Sequence, residues 1–126
     1  MYRVDLVSQG EYKFKVMSKG YEFIVDAKSG GITPPDTLLA SLASCVGVYL
    51  RKYADGARLP SGEFSVSAEA DLGKEAPYQF RRIQVTIDLK GAVLEEKRMK
   101  AMLDFIRNCP IHNTLKSNPS IDIAIA

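Results

Sequence analysis

The sequence predicts an α+β fold, with antiparallel sheets around one buried central helix, and three observations carry that expectation. Segments of strict apolar–polar alternation stand at both ends of the chain's first ninety or so residues, the stretch Leu38 to Leu50 between them is apolar or small on nearly every face, and an amphipathic helical pattern follows. The 126 residues fit a single domain over 1–126, long enough to bury most of its surface. Charged residues are 25% and hydrophobic ones 46%, values of an ordinary globular chain.

Tyr2, Val4 and Leu6, then Tyr12, Phe14 and Val16 around Lys13 and Lys15, then Tyr21, Phe23 and Val25 alternate apolar with polar positions. Period two is the mark of a half-buried strand, and Gln9-Gly10 and Lys19-Gly20 supply hairpin turns between the three. Ser29-Gly30-Gly31 is read as a flexible loop. Thr33-Pro34-Pro35-Asp36 marks a helix start, because proline suits the lead-in or first turn and Asp36 as N-cap accepts from free backbone amides. This helix is expected to run to Ala54 and close at Gly56.

Two longer alternating strands come next, with Phe64, Val66, Ala68 and Ala70 on one inner face and Phe80, Ile83, Val85, Ile87 and Leu89 on the other, joined by a turn from Gly73 to Pro77. Leu94 to Asn108 reads as an amphipathic helix with Met99, Met102, Leu103 and Ile106 inside and a solvated run of Glu95 to Arg98 and Lys100 outside. Pro110 to Ser117 is a short helix, and Ile121, Ile123 and Ile125 a closing strand. The strands of one small chain hardly cover a central helix with so little polar surface. A second copy is therefore expected to cover it, as a tight homodimer.

The formal charge of +2, spread along the chain, falls short of an electrostatic footprint for nucleic acid. Charges at Arg3 and Asp5 interrupt what would be a signal peptide's apolar core, and Leu38 to Leu50 is too short to span a bilayer. A cytoplasmic protein with no nucleic-acid or membrane partner is the expectation. In that reducing compartment Cys45 and Cys109 are either inert core residues or working thiols, since a permanent disulfide is disfavoured.

Cys45 sits mid-helix, where the macrodipole gives a thiolate little help. Cys109 precedes Pro110, a natural first helical residue, so Cys109 is placed at an N-cap, where free amides and the dipole favour the anion. His112, the single histidine, lies one turn along and within reach of that sulfur; a capping or hydrogen-bonded role stands beside it. The close-spaced ligand pairs of a zinc site are missing, so no metal is expected. Gly30-Gly31 lacks the lysine of a phosphate loop, and no G-x-S-x-G motif marks a serine hydrolase.

The run from Gly31 to Cys45, the later Cys109-Pro110-Ile111-His112-Asn113 and the order of strands and helices closely resemble the OsmC/Ohr family, of osmotically inducible and organic hydroperoxide resistance proteins. The resemblance spans essentially the whole chain. It implies an intertwined α+β homodimer with active sites at the interface, and a thiol peroxidase that reduces organic hydroperoxides. In such proteins the helix cysteine, here Cys45, attacks the peroxide and the second, here Cys109, resolves it. No bound cofactor is implied; an external dithiol restores both thiols, and Asp36 and His112 are further candidate site residues.

Family peroxidases also use an arginine from the early strands and a glutamate near the start of the cysteine helix. Asp36 stands at the acidic position. Ser8-Gln9-Gly10-Glu11 occupies the early loop, Arg3 lies before it, and Lys13 or Lys28 is the stand-in charge. Nine residues at about 100° each place Asp36 on the side of the helix opposite Cys45 and ~13 Å along it, so an acid reaching Cys45 would come from the partner chain. The missing arginine keeps a second possibility open, a non-catalytic member of the fold that binds a small apolar or thiol-reactive ligand. A structural dimer with inert cysteines is a third.

Overall fold

Antiparallel pairing begins almost at once. In the computed structural model, which describes residues 1–28, 30–58 and 63–126, strands β1 (Asp5–Ser8), β2 (Lys13–Ser18) and β3 (Tyr21–Asp26) form a sheet in the order β1-β2-β3. The Lys19-Gly20 turn is the tight two-residue hairpin expected: Ser18 pairs with Tyr21, and φ is 55° at Lys19 and 82° at Gly20, both on the left-handed side as a type I′ turn requires. The first turn is longer than the sequence predicted. Residues 9–12 connect β1 to β2, with φ of 101° at Gly10 and 53° at Glu11 and a bond from the Gln9 amide to the Lys13 carbonyl at 2.9 Å. Tyr2 and Val4 lie before β1 and are exposed.

The chain forms two compact units, Met1–Ala40 and Ser41–Ala126, and the boundary falls within helix α1 (Pro34–Gly56). In the first unit the alternation does place Val16 and Val25 inside, but Leu6 and Phe23 on the same sheet face stay exposed. Of the expected loop Ser29-Gly30-Gly31, Ser29 lies outside the described residues.

The start of α1 corrects the expected cap. Thr33, not Asp36, is the N-cap, with Pro34 as first helical residue. The Asp36 carboxylate accepts from the Thr33 amide at 3.0 Å and hydroxyl at 2.8 Å, while the Asp36 amide donates back to the Thr33 hydroxyl at 3.3 Å. This is a reciprocal capping box with aspartate at the third helical position. The Asp36 carboxyl is held below its ordinary value, first by the Thr33 amide and then by its hydroxyl. A depressed folded value means that this contact's stabilisation is present at neutral pH and is lost as the pH falls through that value. Thr33→Ala is expected to cost about 1 kcal/mol, read as a lower urea midpoint with an unchanged slope. Asp36→Asn is expected to flatten the acid limb of the stability profile.

The second unit holds the second sheet, β4 (Ser65–Leu72) paired antiparallel with β5 (Phe80–Asp88). Val66 faces Ile87, Ala68 faces Val85 and Ala70 faces Ile83, so the two inner stripes read from the sequence are matched across the ladder. Against this face pack Leu42, Val46 and Leu50, one i, i+4, i+8 stripe of α1, together with Met102 and Ile106 of α2 (Glu96–Ile106). All five are at most 7% exposed. Met99 and Leu103, expected inside, remain partly exposed. Phe105 is half-buried instead, against Tyr49 and Tyr53 with ring centroids 5.8 and 5.9 Å away. In the single chain the fully buried residues of α1 are the Leu42, Val46 and Leu50 stripe, while Val48 is 51% exposed.

Helix α3 (Pro110–Ser117) has the predicted bounds. The closing strand does not form. Asn118 ends α3 in the left-handed conformation, Pro119 has no amide to offer a ladder, and neither sheet provides a neighbour for Ile121, Ile123 and Ile125, which are 80%, 94% and 99% exposed.

Candidate active site

The turn from α2 into α3 fixes the first of the two thiols. The Asn108 amide bonds the Phe105 carbonyl and the Cys109 amide the Ile106 carbonyl, both at 3.0 Å, so the chain reverses within three residues of the core residue Ile106. Pro110 then opens α3, and Cys109 is its N-cap. The Cys109 carbonyl takes the first helical bond from Asn113 at 3.0 Å, and its sulfur accepts from the His112 backbone amide at 3.4 Å. The side chain is fully buried.

Cys45 lies on α1 between the core residues Leu42 and Val46, half-buried. Its thiol lies near that of Cys109, and the Ile111 amide, from the first turn of α3, acts on its sulfur. Sixty-four positions apart in sequence, the two free thiols are neighbours in space. Burial pushes the Cys45 thiol above its ordinary value, and the neighbouring Cys109 thiol pushes the same way. The Ile111 amide and the Lys52 ammonium oppose them. Sequence reasoning missed Ile111 and Lys52. Lys52 had a legible signal, since seven residues return a helix to nearly the same face. A backbone amide leaves no trace in side-chain identity.

The other candidates are engaged differently. Asp36 is bound to Thr33. His112 meets the Cys109 sulfur through its backbone amide, while its imidazole Nδ1 lies 3.3 Å from the Asn113 side-chain oxygen; the CxxH spacing delivers an amide because Cys109 is a cap. Arg3 lies before β1 and pairs with Asp5 at 3.0 Å, and the Lys28 ammonium rests 4.7 Å from the Tyr12 ring centre. Among the described residues no cluster of three or more His, Cys, Asp or Glu side chains is placed to hold a metal, and no helix is long and apolar enough to cross a membrane. A cavity of about 470 Å³ opens in the second unit over Val46, Ile83, Val85 and Leu103, with His112 at its edge. Neither cysteine lines it.

Fold and site together define an α+β protein with two antiparallel sheets and two free cysteines near each other. The chain belongs to the OsmC-like protein family, whose sequence model matches residues 26–124. No curated protein matches the sequence. Among solved structures it is similar to an OsmC-like protein from Mycoplasma pneumoniae, with a TM-score of 0.80 at 20% identity, covering 92% of this chain and 87% of that one. It is also similar to an organic hydroperoxide resistance protein from Elizabethkingia anophelis, with a TM-score of 0.68 at 18% identity and coverage of 94% and 91%. An organic hydroperoxide resistance protein OsmC from Legionella pneumophila gives a TM-score of 0.65 at 18% identity, with coverage of 94% and 92%. At these identities the likeness is one of fold.

Proposed function

We propose that this protein is a thiol peroxidase that reduces organic hydroperoxides, with Cys45 as the attacking thiol and Cys109 as the resolving one. The observation that supports the reading best is the nearness of the two free thiols, brought together from positions far apart in sequence. The Cys45 thiolate attacks the outer peroxide oxygen, the O–O bond breaks, and the alkoxide leaves as the alcohol after taking a proton. Cys45 becomes a sulfenic acid. The Cys109 sulfur displaces its hydroxyl as water to form a disulfide, and an external dithiol reduces that bond and is itself oxidised. The division of roles follows exposure, since Cys45 is half-buried while Cys109 is fully buried and meets only what Cys45 has already become.

The apolar residues flanking Cys45 favour an alkyl hydroperoxide over hydrogen peroxide. The proposed protein works as a homodimer in the reducing cytoplasm, the second copy covering the exposed Val48 face of α1. Intact mass tests the thiol pair. After one equivalent of an alkyl hydroperoxide the chain is expected to lose two hydrogens, and only when both cysteines are present; a lasting gain of one oxygen in the unaltered protein would remove Cys109 from the scheme. The absence of an early-loop arginine favours a second reading, a non-catalytic ligand-binding member of the fold. Saturable binding of an alkyl compound with no peroxide turnover would support that one.

A further inference from the structure

A half-buried thiol whose surroundings favour the neutral form is a poor nucleophile at neutral pH unless a positive charge stands near it. We propose that Lys52, on the same helix as Cys45, supplies that charge as a positioning residue that acts through the Cys45 sulfur. This rests on the reading of Cys45 as the attacking thiol.

The geometry is that of one helical face. Seven residues at about 100° each bring Lys52 to within roughly 20° of the direction of Cys45, ~10 Å along the axis. Helical side chains lean towards the N-terminus, so the lysine stem runs back along the helix towards the thiol. The structure records that lean: the Lys52 ammonium lies 4.7 Å from the ring centre of Tyr49, three residues back and four residues on from Cys45. Tyr49 is held in turn by Phe105 of α2, four residues before Cys109. The tyrosine ring therefore tethers the ammonium on the thiol side of α1.

The neighbouring cation does not compete. Arg51 points about 120° away from Cys45 around the helix and its guanidinium lies 4.9 Å from the Phe64 ring centre. The groups that act on the Cys45 sulfur are the Cys109 thiol and Ile111 amide, from the start of α3, and Lys52 from its own helix. Lys52 is exposed, so its replacement leaves the core untouched.

The test measures alkylation of Cys45 in the reduced protein by iodoacetamide as a function of pH, with the Cys45 peptide resolved by mass spectrometry. At low ionic strength Lys52→Gln is expected to slow the reaction at pH 7 about threefold and to move the profile to higher pH, the size expected of one screened charge at this range. Lys52→Arg should restore the rate, Arg51→Gln should leave it unchanged, and about 1 M salt should close most of the gap between Lys52→Gln and the unaltered protein. Equal rates for Lys52→Gln and the unaltered protein, or a Lys52→Arg variant as slow as Lys52→Gln, would overturn the assignment. Alkylation needs no peroxide. A protein inert to hydroperoxides but sensitive to Lys52 would refute the peroxidase reading alone, and the reverse pattern would refute only the role of Lys52.

Discussion

Cys45→Ser is expected to abolish hydroperoxide consumption in the presence of excess dithiol, a loss of more than about a thousandfold, because a serine hydroxyl at that position supplies neither the nucleophile nor the sulfenic acid. Cys109→Ser should behave differently. Its first attack is intact, so about one equivalent of peroxide is consumed before turnover slows, and the sulfenic acid on Cys45 persists long enough to be trapped. Both variants leave the side-chain shape nearly unchanged. Equal activity in Cys45→Ser and the unaltered protein would end the peroxidase reading. A burst that survives Cys45→Ser and disappears in Cys109→Ser would reverse the two roles.

The same assay has a predictable pH dependence. Burial, and then the contact with Cys109, hold the Cys45 thiol above its ordinary value, so the reactive thiolate is the minor species at neutrality. The rate of the first attack should climb about tenfold per pH unit through neutrality, as the thiolate fraction does, and level off only in the alkaline range. A rate flat from neutral to alkaline pH would mean that the attacking thiol is already ionised.

Leu50→Ala is expected to destabilise the protein by about 2–5 kcal/mol, a large part of the stability of an ordinary domain. Leu50 is 3% exposed and belongs to the cluster with Leu42, Val46, Met102 and Ile106. Removing its side chain leaves a cavity bounded by a helix stripe and a sheet face that are each rigid. Urea unfolding followed by circular dichroism would read the loss. Val48, two residues earlier, provides the contrast. In an isolated chain Val48→Ala should change stability by no more than about 0.5 kcal/mol, whereas in the proposed homodimer its effect should exceed that and vary with protein concentration.

Much of the second unit was legible because its elements are governed by local pattern. The alternation in Val66, Ala68, Ala70 and in Ile83, Val85, Ile87 specifies inner faces, and those faces are the ones that meet across the ladder. Pro110 specifies where α3 starts, and therefore that Cys109 is a cap. The failures have a common cause, dependence on a neighbour that local pattern does not name. Ile121, Ile123 and Ile125 have a strand's alternation but pair with neither sheet. Met99 and Leu103 have the right spacing for a core, yet the aromatic pair Tyr49 and Tyr53 draws Phe105 against α1. Asp36 and Thr33 were both visible, and the error lay in which of two adjacent capping chemistries won. For the site, the cysteines were legible as reactive side chains, whereas the Ile111 amide that reaches Cys45 is an accident of where α3 begins.

The unequal burial of the two sulfurs also determines how an oxidised molecule would be recharged. In a Cys45–Cys109 disulfide, the incoming reductant needs a straight approach to one sulfur along the S–S axis. Cys109 is sealed on all sides, so the only line of attack is onto Cys45. The covalent adduct with the reductant would then form on Cys45, while Cys109 departs as the leaving thiolate beside the His112 amide that can bear its charge. Reduction would be regiospecific, with one sulfur serving as the docking point for both the oxidant and the reductant.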